Sequence, residues 1–157
     1  MDRESRETLA GLIRTQRVAS LGTLREGAPF VSLVLFAAAP DFSSFYVHLS
    51  RLAHHTRALL LDPRAALMIA AADTGDRDPL TLPRVSMQGT ALAVPATDAD
   101  HDGIGSLYRA KFPQAACNFR LGDFGLFRFR ADSARYIAGF GRIFDLKAED
   151  LKGAAGE

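Results

Sequence analysis

The stretch "LSRLAHHTRALL" gathers Ser50, Arg51, His54, His55, Thr56 and Arg57 at the start of a segment that is otherwise leucine and alanine. If that segment is a helix, its first backbone N–H groups have no carbonyl partner and carry partial positive charge, which suits an anion such as phosphate. Ser50 and Thr56 add hydroxyl donors, Arg51 and Arg57 add charge, and either histidine can donate from its imidazole. Together they could hold a phosphomonoester that a bare helix end would hold only weakly. The competing reading leaves the arginines solvated and the histidines packed or capping. A metal is not expected here: adjacent helical side chains diverge by about 100°, and no cysteine, histidine or carboxylate stands at ligand spacing.

Other stretches invite chemistry and support it less. "GFGR", Gly139 to Arg142, closes a strand rather than opening a helix, and it lacks the third glycine of a dinucleotide fingerprint. A bulge, or room for something flat against the backbone, explains it better. "FRFR", Phe127 to Arg130, places two phenylalanines on one strand face and two arginines on the other, whereas single-strand binding needs them together. No Gly-x-Ser-x-Gly elbow, Walker loop or His-Glu-x-x-His occurs. If this chain catalyses a reaction, a bound cofactor carries the chemistry.

The elements that must position these residues read mostly as strands. After Ser5 as N-cap, Leu9, Leu12, Ile13 and Gln16 mark one amphipathic helix. "RVASLGTL" is a strand, "REGAP" a turn, and "FVSLVLFAAA" so continuously apolar that burial on both faces is expected. In "SFYVHLS", Phe45, Val47 and Leu49 alternate with Tyr46, His48 and Ser50. A helix over Leu52 to Leu61 ends before Pro63, and "AALMIAA" is another buried strand. "DTGDRDPLTLP" is a long polar loop. In "RVSMQGTALAV", Arg84, Ser86 and Gln88 share one face, with Val85 and Met87 on the other. A helix within Asp98 to Lys111 is closed by Pro113. "FGLFRFRA" and "ARYIAGFGRIFDL" read as two strands joined at "DSA", and the tail from about 147 as polar and frayed. Sequential strands with tight links favour an antiparallel barrel or sandwich with peripheral helices.

Hydrophobic residues make up 48% and charged residues 24% of the 157-residue chain, ordinary for one soluble globular domain. A net charge of +1 provides no global attraction to nucleic acid or an acidic membrane. With Cys117 the single cysteine, no intrachain disulfide can form. The charged opening "MDRESRETLAGLIR" lacks the apolar run of a signal peptide, and no stretch approaches the roughly 18 apolar residues of a membrane span. The expectation is a single cytoplasmic domain over 1–157 with neither a nucleic-acid nor a membrane partner.

The order "GAPFVSLVLFA", "FYVHLSRLAHHTRALLLDPRAALMI", "RVSMQGTALAV", "ARYIAGFGRIFDL" resembles the FMN-binding split-barrel proteins related to pyridoxamine 5′-phosphate oxidase, in particular their HugZ-like, heme-utilisation branch. The resemblance runs from about Leu9 to Leu146. "LSRLAHHTRALLLDPRAAL" and "RYIAGFGR" are its most specific parts. It implies a mainly β, six-stranded antiparallel split barrel with peripheral helices, a homodimer, and FMN in grooves at the subunit interface. By the same resemblance Ser50, Arg51, His55, Thr56 and Arg57 would hold the FMN phosphate. Ser32, Leu33 and Val34 would run along the isoalloxazine edge, with Arg84 and Gln88 approaching from the partner.

The chain also departs from that pattern. Strand "FVSLVLF" lacks the family's basic residue, His54-His55 stand where a Lys/Arg pair is usual, and no histidine follows His101. The absent Arg-x-His motif argues against vitamin B6 oxidation, and the absent C-terminal histidine removes the usual heme ligand, leaving His54, His55 or His101 to serve if heme binds. The first expectation is an FMN-dependent oxidoreductase acting on a small-molecule substrate, with Tyr136 and Arg142 as substrate contacts. The alternative is a heme or tetrapyrrole-binding protein without flavin turnover. A third is a cofactor-free interaction module. Eleven phenylalanines and few helices to cover a barrel add a physical reason to expect a partner surface.

Overall fold

The computed structural model describes residues 1–156. Its elements are α1 (Arg3–Thr15), β1 (Val18–Arg25), β2 (Ala28–Leu35), β3 (Ala37–Ala38), β4 (Phe45–Ser50), α2 (His54–Leu61), β5 (Arg64–Ala70), β6 (Arg84–Val94), α3 (His101–Lys111), α4 (Ala116–Phe119), β7 (Phe124–Gly139), β8 (Arg142–Lys147) and α5 (Ala148–Ala154). All strand pairs are antiparallel, in the order β2-β1-β5-β6-β7-β4-β3, with β8 on the far half of β7. The sheet curls until β2, at one end, lies beside β4, which carries only the two-residue β3 at the other, and the two do not pair, which is a split barrel. It has eight strands rather than six, because the short β3 and the hairpin arm β8 extend the barrel.

Alternation decides what each strand buries. Inward positions such as Leu21, Phe45, Leu67, Met87 and Phe129 fill the barrel. Outward positions form rows in register: Leu33, Ser20, Met68, Ser86 and Arg135 in one, Val31, Gly22, Ala66, Gln88 and Ser133 in the next. The outer face is therefore apolar over β2, β1 and β5 and turns polar at β6. Here the expectation of two-sided burial fails. Val31 is 65% and Leu33 73% exposed, since β2 is an end strand whose outer face no element of the chain covers. β5 buries Leu67 and Ile69 and likewise turns Ala66 and Met68 outward.

Helices cover the remaining surfaces. Asp2, not Ser5, caps α1, accepting from Ser5 N at 2.9 Å, and Leu9, Leu12 and Ile13 dock on the core. α3 and α4 cover the outward side of β4, where Tyr46 packs with Tyr108 and Phe119. α2 packs against β1, β2 and β6. The tail is docked rather than frayed: Leu151 and Ala154 of α5 are buried, and Arg14 donates to the Ala155 carbonyl. No helix among the described residues is long and apolar enough to cross a membrane.

The "DSA" link is not a turn. β7 runs straight through it, and the hairpin turns at Gly139–Gly141, with Gly141 at φ +71°. The irregularity at that point is a bulge in β7 itself: Gln88 and Gly89 are consecutive on β6 but pair with Ser133 and Ala131, leaving Asp132 as the extra residue, where the neighbour of β7 on its other side changes from β4 to β8. A Cβ on Gly89 would lie 1.9 Å from the Arg130 carbonyl oxygen, so only glycine permits this approach. Gly89→Ala should cost about 2–4 kcal/mol in urea unfolding. Gly11→Ala, in open space on α1, should instead stabilise by about 0.5–1 kcal/mol.

Candidate functional site

The loop before α2 is built from side-chain hydrogen bonds. Ser50 Oγ accepts from Leu52 N at 3.2 Å and lies 3.3 Å from Asp123 Oδ2, while Arg51 N donates to the Asp123 carbonyl at 2.5 Å. These fix where the chain enters α2. The N-cap is Ala53, extended and without a side-chain cap, so the leading N–H groups of α2 remain open to an external acceptor. Arg51 and Arg57 are exposed and form no ion pair among the described residues. Thr56 faces the other way. It is fully buried, and its hydroxyl has no hydrogen-bond partner, so it looks into the core rather than out of the mouth.

Beside this mouth, the seam between β2 and β4 opens into a cavity of about 260 Å³. Leu33 and Val34 form one wall, His48 and Ser50 the other, and His55 reaches in from α2. His55 Nδ1 lies 3.1 Å from Ser32 Oγ, which joins the second strand to the helix mouth. The structure thus brings Ser32, Leu33, Val34, Ser50 and His55 together, while Arg51 and Arg57 are exposed beside the start of α2 and do not line the cavity. The two adjacent histidines diverge, His54 packing on Phe30 at 4.4 Å between centroids.

His48 is a wall residue that the sequence reading did not single out. Its ring stacks on Phe119 at 3.8 Å, with Tyr108 edge-on at 5.8 Å. Burial, followed by the charges of Arg109 and His101, pushes its pKa down to about 4. Burial first, then His54, also lowers that of His55. Both imidazoles are accordingly neutral at pH 7. The signal for His48 was present: "FYVHLS" places it on the same strand face as Ser50.

The remaining predicted residues lie elsewhere on the protomer. Arg84 and Gln88 are on the outer face of β6, where Arg84 donates to the carbonyls of Leu80 and Leu82 at 2.9 and 3.0 Å and braces the long loop. Gln88 borders a depression of about 590 Å³ with Gly22, Val31 and Ala66. Neither reaches the seam of its own chain. Tyr136 and Arg142, expected as substrate contacts, are engaged within the chain on the far side of the sheet from the seam. Tyr136 is fully buried and donates to the Ser5 carbonyl at 3.1 Å. Arg142 is held by Asp2 at 2.8 Å, Ser5 Oγ at 2.6 Å and Glu4 at 3.3 Å. Together they latch α1 onto the β7–β8 hairpin.

Comparison with known proteins agrees with this architecture. The family description for pyridoxamine 5′-phosphate oxidase matches residues 5–138. The chain belongs to that family. Within the family, it is 36% identical over 119 residues to the non-canonical heme oxygenase HOZ, chloroplastic, of Arabidopsis thaliana. That match covers 76% of this chain and 35% of the relative, so the chain spans about a third of the curated relative's length. A heme binding protein from Mycobacterium smegmatis superposes with a TM-score of 0.85 at 24% identity, over 98% of this chain and 62% of that one. HutZ, the heme storage protein of Vibrio cholerae, superposes at 0.71 with 20% identity, over 85% and 89%. These relatives accord with the HugZ-like branch of this split-barrel family.

Two outcomes follow. Tyr136→Phe should lower stability by about 1 kcal/mol and leave ligand affinity unchanged, read by melting and titration of the same sample. His48 has a folded pKa near 4, below its unfolded value near 6.5. Its contribution is therefore complete above pH 6.5, falls as the pH drops toward 4, and is flat below that. The wild type should lose about 1–2 kcal/mol more than His48→Gln over that window, allowing for solvent screening of a half-buried ring.

Proposed function

We propose that this member of the pyridoxamine 5′-phosphate oxidase family is a homodimeric heme-binding protein whose site is the seam cavity and the α2 mouth. The observation that carries the reading is the conjunction in the seam of an apolar wall at Leu33 and Val34 with neutral imidazoles at His48 and His55, next to a helix start that bears the exposed arginines Arg51 and Arg57. A heme needs those three things, a flat apolar bed, a nitrogen ligand and cations for its two propionates. Bound heme would supply a redox-active iron. The chain's part is to bind, orient and shield it, with Arg51, Arg57 and the first N–H groups of α2 taking the carboxylates. The names of the Arabidopsis and Mycobacterium relatives support the same ligand class.

One protomer offers only half a site. The cavity is about 260 Å³, below the roughly 300–1,000 Å³ of most ligand pockets. Beside it lies the exposed apolar band of Val18, Val31, Leu33, Leu35 and Met68, a surface that monomers rarely leave uncovered. A second copy related by a two-fold axis would cover the band and set its Arg84 and Gln88 rows against the ligand. FMN is the second reading. The uncapped N-terminus of α2 flanked by Arg51 and Arg57 favours it specifically, since that geometry also fits one phosphate; the flavin would then carry an oxidoreductase activity.

The purified protein should elute at twice its 17.0 kDa chain mass and take up one hemin per chain, with FMN not retained through gel filtration. Leu33→Glu places a charge in the apolar band; it should give monomers and weaken hemin binding at least about tenfold. Retained flavin without hemin uptake would replace the heme reading by the FMN one.

A further inference from the structure

We infer that His48 is the side chain that meets the iron of a heme held in the seam. The inference rests on the heme reading above and adds the residue that ligates. The chain has four histidines, and two of them lie off the cavity: His54 is exposed against Phe30, and His101 Nδ1 lies 3.3 Å from Asp102. His55 lines the cavity beside His48, with Nδ1 engaged by Ser32 and Nε2 left free, so the choice falls between these two. His48 differs in three respects.

First, it lines the cavity, as His54 and His101 do not. Second, neither of its ring nitrogens has a hydrogen-bond partner, yet neither is sealed off: the buried unpartnered side-chain polar atoms among the described residues are Thr23 Oγ1 and Thr56 Oγ1 alone. A half-buried imidazole whose nitrogens are unpaired within the chain and reachable from solvent is free to accept a partner from outside without breaking an internal hydrogen bond. Third, the face of the ring, not its edge, is occupied. Phe119 stacks on it at 3.8 Å with an interplanar angle of 16°, which fixes the ring plane while leaving the in-plane lone pair free. Metal ligands of this kind usually have their orientation set by a hydrogen bond to the second nitrogen; here aromatic stacking performs that role. Arg109, which lies 4.5 Å over the Phe119 ring, opposes protonation of the imidazole and so keeps it in the form that can coordinate.

The test is a hemin titration followed by absorbance and electron paramagnetic resonance in the wild type, His48→Ala, His55→Ala and His48→Cys. The wild type should show an imidazole-ligated spectrum. His48→Ala should lose that signature and bind at least about tenfold more weakly, and added imidazole should restore it. His55→Ala should keep it, and His48→Cys should shift it to a thiolate type. Should His48→Ala fail to fold by circular dichroism, His48→Gln takes its place, and His48→Cys remains informative on its own. An unchanged spectrum in the His48 variants with hemin still bound would overturn the inference and leave the heme reading standing. A wild type that takes up no hemin overturns both.

Discussion

β2 and β4 come together near the two ends of one sheet without pairing with each other, and that open seam organises the rest of the molecule. Unpaired strand edges are a liability in water, because each exposes N–H and C=O groups to any other chain. Here the edges are separated by side chains rather than closed by backbone, and the space between them is the cavity. The covering elements follow from the same requirement. α2 closes the seam at one end, and α3 with α4 covers the outward side of β4. A fully closed barrel would have no edges and no opening between strands of this kind.

The electrostatics divide along the same line. At the α2 mouth the charges are permanent: two guanidiniums and open N–H groups, in contact with water, where keeping them ionised costs little. Inside the seam the titratable groups are imidazoles that burial holds neutral, because a cation there would have no counter-charge. An anionic group is thus attracted to the rim and an apolar, nitrogen-seeking body to the interior.

Much of the barrel was legible because alternation is a strong signal. "FYVHLS" and "RVSMQGTALAV" announced two-faced strands, and both are. The misreadings have a common origin. "FVSLVLFAAA" was expected to be buried on both faces, since an apolar residue looks the same whether its own chain or a second one covers it. "DSA" was taken for a turn because its residues favour turns, whereas Asp132 is the extra residue of a bulge that β7 absorbs without reversing direction. The tail seemed frayed because only Leu151 and Ala154 of its short helix face inward. In the site, residue types located the α2 mouth. They could not say that Thr56 turns inward, nor that His48 lies opposite Leu33 across a seam that exists only once the sheet has curled.

The N-terminal latch extends this argument to the far side of the molecule. Tyr136 and Arg142 have the side chains of a ligand site, an aromatic hydroxyl and a guanidinium, on strands that the family resemblance associates with substrate. Both instead satisfy Ser5 and the acidic start of α1. Ser5 is wholly buried, and a buried hydroxyl and carbonyl need partners; Arg142 and Tyr136 supply them at the cost of their availability to any ligand. The chemistry that those strands could have provided is thereby committed to holding α1 on the β7–β8 hairpin. What remains for binding is concentrated on the opposite edge, where the sheet fails to close.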